Sequence, residues 1–116
     1  MRSAAAILAF LLLAPPSLAA GADCERSDAY GNALCSYRSG DLAAARQRFR
    51  AIAEANQQQP ETIKSLYFLA RTEMKLKRWD EASAVLSRIY LLSPPFYEEW
   101  NCDFLLGVCR KALGKD

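Results

Sequence analysis

The chain repeats itself at a spacing of 37 residues: Tyr30 is followed at that interval by Tyr67 and then Phe104, and the small residues Ala33, Ala70 and Gly107 keep the same step. Phe49 is echoed by Leu86, Ile52 by Ile89, Ala45 by Ala82 and Leu42 by Trp79, while Gly40 meets Gly114 two intervals on. Large positions recur as large and small ones as small. A repeat of this length specifies a stack of helical hairpins. Each hairpin leaves one apolar face uncovered until a neighbour stacks on it, so such a fold grows by repetition and presents an extended groove rather than a buried catalytic cavity. The repeat therefore directs expectation to binding, without naming what is bound.

Residues 1–22 read as a secretory signal peptide: Arg2 supplies the positive start, Ala4 to Ala14 is an unbroken apolar run, Pro15 and Pro16 break it, and mostly small residues follow to Ala22. Eleven helical residues reach only about 16 Å, roughly half a hydrocarbon core, so a retained membrane span fits less well. Two small-residue sites make Ala20 or Asp23 the first residue of the cleaved chain, and the address is the periplasm or the exterior. Asp23 before Cys24 does not suit a lipid anchor. Removing the leader takes only Arg2 from 15 Lys and Arg against 13 Asp and Glu, so no global field recruits nucleic acid or an anionic membrane. About 95 residues remain, one domain with a modest core, assigned to 23–116.

Four cysteines in an exported chain invite a disulfide. Cys102 and Cys109, seven residues apart in one helix, have Cα atoms about 10 Å apart and cannot pair. Two readings of Cys35 stand side by side: a local bridge to Cys24 in the tail before the first helix, or, like Cys109 two periods on, a small buried residue at a helix contact. Zinc fits poorly, with no His and no close Cys pair, and no cofactor site is legible.

Apolar residues at helical spacing predict five helices. The first runs from about Ser27 to Tyr37 and ends at Ser39-Gly40-Asp41, where glycine suits a left-handed turn and Asp41 suits a cap. The second runs from Leu42 to about Gln57. Pro60 closes it, and the third opens at Glu61 or Thr62 with Ile63, Leu66, Tyr67, Leu69, Ala70 and Met74 as its stripe. Trp79 to Leu92 forms the fourth, ended by Ser93-Pro94-Pro95. One continuous helix from about Tyr97 to Leu113, with Trp100, Phe104, Leu105 and Val108 inward, completes the chain. Lys64, Arg71, Lys75, Lys77 and Arg78 fall within fifteen residues accompanied only by Glu73, which reads first as a solvated face and a basic turn.

These residues resemble the tetratricopeptide repeat. Its large-then-small pair in the first helix is met by Leu69-Ala70 and Leu106-Gly107. Its acidic turn is met by Trp79-Asp80-Glu81-Ala82 and in part by Gly40-Asp41-Leu42 to Ala45, and Pro94 sits where the family closes a repeat. The resemblance implies an all-α, right-handed superhelix of helical hairpins with two full repeats, 27–60 and 61–96, and a terminal capping helix, 97–116. The spacing exceeds the family's usual 34 residues, which implies an added turn around Gln57-Gln58-Gln59 and Pro94-Pro95-Phe96. The Sel1-like branch, with a disulfide in each hairpin region, is the second choice, since Cys102 has no partner in the preceding helix.

In that family the ligand groove is lined by the first helix of each hairpin. Carried onto this chain, the groove positions are Tyr30, Leu34, Tyr37 and Arg38, then Lys64, Tyr67, Arg71, Met74 and Lys75, then Asn101, Phe104, Val108 and Lys111. The set is aromatic and basic together, suited to an extended peptide or protein bearing carboxylates. The competing reading is that the aromatics simply fill the spaces between helices. The carboxylate clamp of chaperone-binding members needs Lys and Asn where Tyr30 and Leu34 stand, so that ligand is not implied. Catalysis is not expected: the chain lacks histidine, a phosphate-cradling glycine loop and a Cys-x-x-Cys pair. Glu98, Glu99 and Asp103 read as the acidic first turn of the last helix. A third reading makes the chain a subunit of an envelope complex, associating with itself or a partner through Phe104, Leu105 and Val108 of the terminal helix.

Overall fold

The computed structural model describes residues 24–25, 28–55 and 60–115, which are helices joined by turns and single connecting residues, with no strand among them. The leader, its cleavage sites and the Gln57-Gln58-Gln59 turn lie outside the described residues. Among the described residues six helices follow in order: α1 (Ala29–Ser39), α2 (Leu42–Ala55), α3 (Pro60–Lys75), α4 (Trp79–Leu92), α5 (Pro94–Glu99) and α6 (Cys102–Ala112). The class is all-α, and α1/α2 and α3/α4 are antiparallel hairpins packed into a tetratricopeptide-like stack.

The period is written into the backbone as well as the side chains. The Asp41 N–H donates to the Ser36 carbonyl at 3.0 Å, the Arg78 N–H to Glu73 at 2.8 Å and the Lys115 N–H to Arg110 at 2.8 Å, three identical closures at one repeat spacing. Each needs a left-handed residue just past the helix, supplied by Gly40 (φ 85°), Lys77 (φ 61°) and Gly114 (φ 74°). The middle turn adopts that conformation without glycine. Helix starts are capped in the expected way: the Asp28 carboxylate accepts from the Gly31 N–H at 2.7 Å, and the Asp41 carboxylate from Ala44 at 3.2 Å. Pro60 opens α3 rather than closing α2, because a first helical position has no use for the N–H that proline lacks.

Two core clusters follow the two hairpins. Ala33, Ala45, Phe49 and Leu69 form one, with Tyr30, Tyr37 and Phe68 against it. Leu66, Ala70, Ala82, Leu86, Ile89, Cys102 and Cys109 belong to the other. Ala33, Ala70, Ala45 and Ala82 are fully buried, so the repeated small residues sit where paired helices approach closely. Leu69 and Val85 join the first cluster from the second hairpin, which is how one hairpin closes the other's open face.

The last helix departs from expectation. A single helix from Tyr97 to Leu113 is replaced by α5 and α6, separated at Trp100-Asn101, with Asn101 left-handed at φ 58°. Asparagine tolerates that conformation where most side chains resist it. Ser93 and Pro94, read as a stop, also start α5: the Ser93 hydroxyl accepts from the Phe96 N–H at 3.3 Å and Pro94 is its first residue. The break resets the helical phase. Trp100 packs against the second core, but Phe104 turns outward and is 64 % exposed, and α6 instead buries Cys102 and Cys109.

Cys24 and Cys35 form a disulfide, with Cα atoms 5.4 Å apart. It holds the tail before α1 back along that helix, and Cys24 is buried. Arg48 on α2 secures the same tail, donating to the Cys24 carbonyl at 3.1 Å and pairing with Glu25 at 3.5 Å. Cys102 and Cys109 are free and buried, and burial pushes the Cys102 thiol up to about 11.

Candidate functional site

The first helices of the hairpins place Tyr37, Tyr67, Arg71 and Lys75 together. The last three recur at four-residue steps along α3 and so share a face. The Arg71 guanidinium donates to the Tyr67 hydroxyl at 3.3 Å and lies 5.8 Å from the centre of its ring. Lys75 Nζ sits 4.9 Å from the centre of the Tyr37 ring on α1, a cation–π contact bridging the two hairpins. Burial opposes the charge on Arg71, yet the Tyr67 and Tyr37 hydroxyls nearby hold its pKa above the usual value. The Tyr37 hydroxyl is buried beside Arg71, and its own O–H finds no acceptor among the described residues. Among the described residues no carboxylate lies within ion-pair distance of Arg38, Lys64, Arg71 or Lys75.

The other expected groove residues divide. Arg38 and Lys64 are exposed on α1 and α3, while Leu34 is half-buried against the first core. Tyr30 packs edge-on to Phe49 at 6.3 Å, and burial raises its pKa, with Arg38 and Glu61 near enough to act in opposite senses. Met74 is half-buried against the second core. Tyr67 is not an open aromatic: it is 9 % exposed, with Phe68 at 5.2 Å, Trp100 at 4.9 Å and Phe96 at 6.2 Å. Phe104, Val108, Asn101 and Lys111 lie on or beside α6, which packs chiefly on α4 rather than beside α3. The aromatics that reach the α3 face from the chain's end are Phe96 and Trp100, stacked on each other at 4.6 Å. Sequence reasoning missed them because the spacing placed Phe96 in a turn and Trp100 on the inner side of a continuous helix.

A second electrostatic centre lies between α2 and α3. Glu73 is fully buried. Its two oxygens each accept from Arg46 Nε at 3.0 Å, Arg78 Nε pairs with Oε1 at 3.0 Å, and Arg50 stands 3.5 Å away. Arg78 also pairs with Glu81 at 2.9 Å. Arg78, read from the sequence as part of a solvated basic turn, is instead committed to a buried carboxylate. The signal was present: Glu73 continues the buried stripe of Leu66, Leu69 and Ala70, and Arg46 and Arg50 share one face of α2 at four-residue spacing. The arginines facing Glu73 are thus saturated, whereas the cations of the α1–α3 face are not.

Among the described residues no group of three His, Cys, Asp or Glu side chains could hold a metal ion, and no helix is long and apolar enough to cross a membrane. No curated protein and no solved structure matches the chain. A family model does match residues 4–89, most of the chain, and its description is anaphase-promoting complex, cyclosome, subunit 3. Tetratricopeptide-like repeats of this kind generally serve as protein-interaction modules. With its paired helices, its repeated turns and this match, the chain belongs to that tetratricopeptide-like family.

Proposed function

We propose that the chain is a non-enzymatic adaptor that holds an acidic segment of a protein or peptide across the α1–α3 face. One observation carries the reading: Arg71 and Lys75, two cations without carboxylates among the described residues, converge on Tyr37, whose buried O–H has no acceptor there. A carboxylate entering there gains a neutral donor and two charged ones, and charge-assisted hydrogen bonds are the stronger kind. Tyr30 and Leu34 form the apolar border on α1, Arg38 and Lys64 extend the basic character outward, and Tyr67 and Met74 form the floor. Phe104 and Val108 belong to the ligand path only if the segment runs on past Trp100 to α6. Export to the periplasm or beyond the cell is part of the proposal. It is supported by the leader pattern and by the Cys24–Cys35 bond, which persists in oxidising compartments.

The test is fluorescence anisotropy with labelled acidic, neutral and basic peptides. Acidic peptides are expected to bind best, more weakly as salt rises. Arg71→Glu/Lys75→Glu should weaken them at least tenfold, about 1.4 kcal/mol, with an unchanged circular dichroism spectrum. Both side chains are exposed, so the double variant should fold. Equal affinity for acidic and neutral peptides, or binding indifferent to the double reversal, refutes the reading.

A further inference from the structure

The repeat leaves a seam between α4 and α6 whose counterpart one period earlier is narrowed by a further helix. In that earlier copy Arg50, Ala53 and Glu54 on α2 and Leu66, Leu69 and Glu73 on α3 border a space of about 190 Å³, closed from the other side by Ala84 and Val85 of α4. Advanced by one repeat, these positions are Ser87, Tyr90 and Leu91 on α4 and Asp103, Leu106 and Arg110 on α6. They border two adjoining depressions of about 340 and 400 Å³, which share Ser87 and Leu106. No helix of the described residues closes them. Leu91 is 79 % and Tyr90 54 % exposed. Gly107, in the position where Ala33 and Ala70 are fully buried, has nothing within 4 Å of where a Cβ would stand.

We infer that this seam is an interface between two copies of the chain, with α4 of each lying antiparallel to α4 of the other along a two-fold axis. Small residues mark the centre: Ala84 and Ser87 let two helices approach closely. The charges are self-complementary. One end of the seam carries Asp103, which accepts from the Tyr97 hydroxyl at 3.3 Å and has no ion-pair partner among the described residues. At the other end Arg110 and Lys115 outnumber Asp80, and neither has an ion-pair partner among the described residues. A two-fold axis across the middle sets each acidic end on the partner's basic end, as an isologous contact requires. The contact is independent of the α1–α3 face. Two helices about 20 Å long cover about 400 Å² per copy, below the area of stable specific interfaces, so the dimer is a weak, transient one.

Sedimentation velocity of the purified protein from 1 to several hundred µM tests it, a range suited to weak association. A reversible monomer–dimer equilibrium is expected. Ser87→Glu, at an exposed helical position shared by both depressions, should abolish it, and Phe104→Glu, outside their lining, should leave it unchanged. Asp103→Lys should weaken the dimer about tenfold, the loss typical of a charged contact, and adding Arg110→Glu and Lys115→Glu to the same chain should restore it. A monomer throughout, a dimer indifferent to Ser87→Glu, or a triple variant no tighter than Asp103→Lys overturns the inference. So does a chain that stays monomeric while its seam takes a helix from another protein.

Discussion

Replacing Glu73 by Gln keeps the shape of the side chain and removes only its charge. In the native fold Arg46 bridges both carboxylate oxygens at 3.0 Å and Arg78 reaches one at 3.0 Å, while Arg50 at 3.5 Å adds little. Two charge-assisted interactions are worth about 1.5–3 kcal/mol each. The guanidiniums are 29 % and 42 % exposed, so once released they regain water, and the loss is discounted by about half for that rehydration. The glutamine amide also turns a donor toward two donors. A cost of about 3 kcal/mol follows, at the lower edge of what breaking a buried pair removes. For a domain of this size that lowers Tm by about 15 °C. Urea titration followed by circular dichroism at 222 nm reads it directly. Arg46→Gln should cost about 2 kcal/mol and Arg50→Gln under about 0.5 kcal/mol, in keeping with their distances. A Glu73→Gln variant within about 1 kcal/mol of the parent, or an Arg50→Gln variant as damaged as Arg46→Gln, would refute the assignment of this carboxylate as the tie between hairpins.

Two further outcomes are expected. Cys24→Ser/Cys35→Ser should lower stability by about 2.8 kcal/mol, the loop-closure value for a bridge of this span, read as a shift in urea midpoint that reductant reproduces in the parent; no shift would show that the tail adds nothing. Burial raises the pKa of Cys102 from 9.0 to about 11, and raises Cys109, Tyr30 and Tyr97 as well. The folded state therefore holds these protons more tightly than the unfolded one, so stability should be full below pH 9 and fall as pH rises toward 11. In the same experiment an aromatic disulfide reagent should find two thiols only after denaturation. A midpoint flat to pH 11, or thiols that react at once in the native protein, would count against their burial.

What could be read before the structure was what the period controls. The Gly40 and Gly114 turns, the alanines at helix contacts and the extent of α4 all follow from residues that recur with their types intact. What could not be read depends on a residue acting against its neighbours. Trp100-Asn101-Cys102 continues a helical pattern, and only the tertiary setting decides that Asn101 leaves it; with that one dihedral go the outward turn of Phe104 and the arrival of Phe96 and Trp100 over Tyr67. Lys77 takes the same left-handed conformation where its counterparts are glycine, again invisible to composition. Glu73 was hidden differently. A lone acid in a basic run looks solvated until the opposite helix is known to aim two arginines at it.

Each helix rests mainly on the one before or after it in the chain, α6 upon α4 being the chief exception. Closing short loops costs little entropy, so the array should fold within micro- to milliseconds and need no distant segment to begin. The same locality has a cost in cooperativity, since hairpins that touch only their neighbours can melt one at a time. The cluster at Glu73 draws its cations from α2 and from the turn before α4, so it joins units that apolar contact alone would leave loosely coupled. Fraying should then start beyond it, at α5 and α6, and stop short of the α1–α3 face.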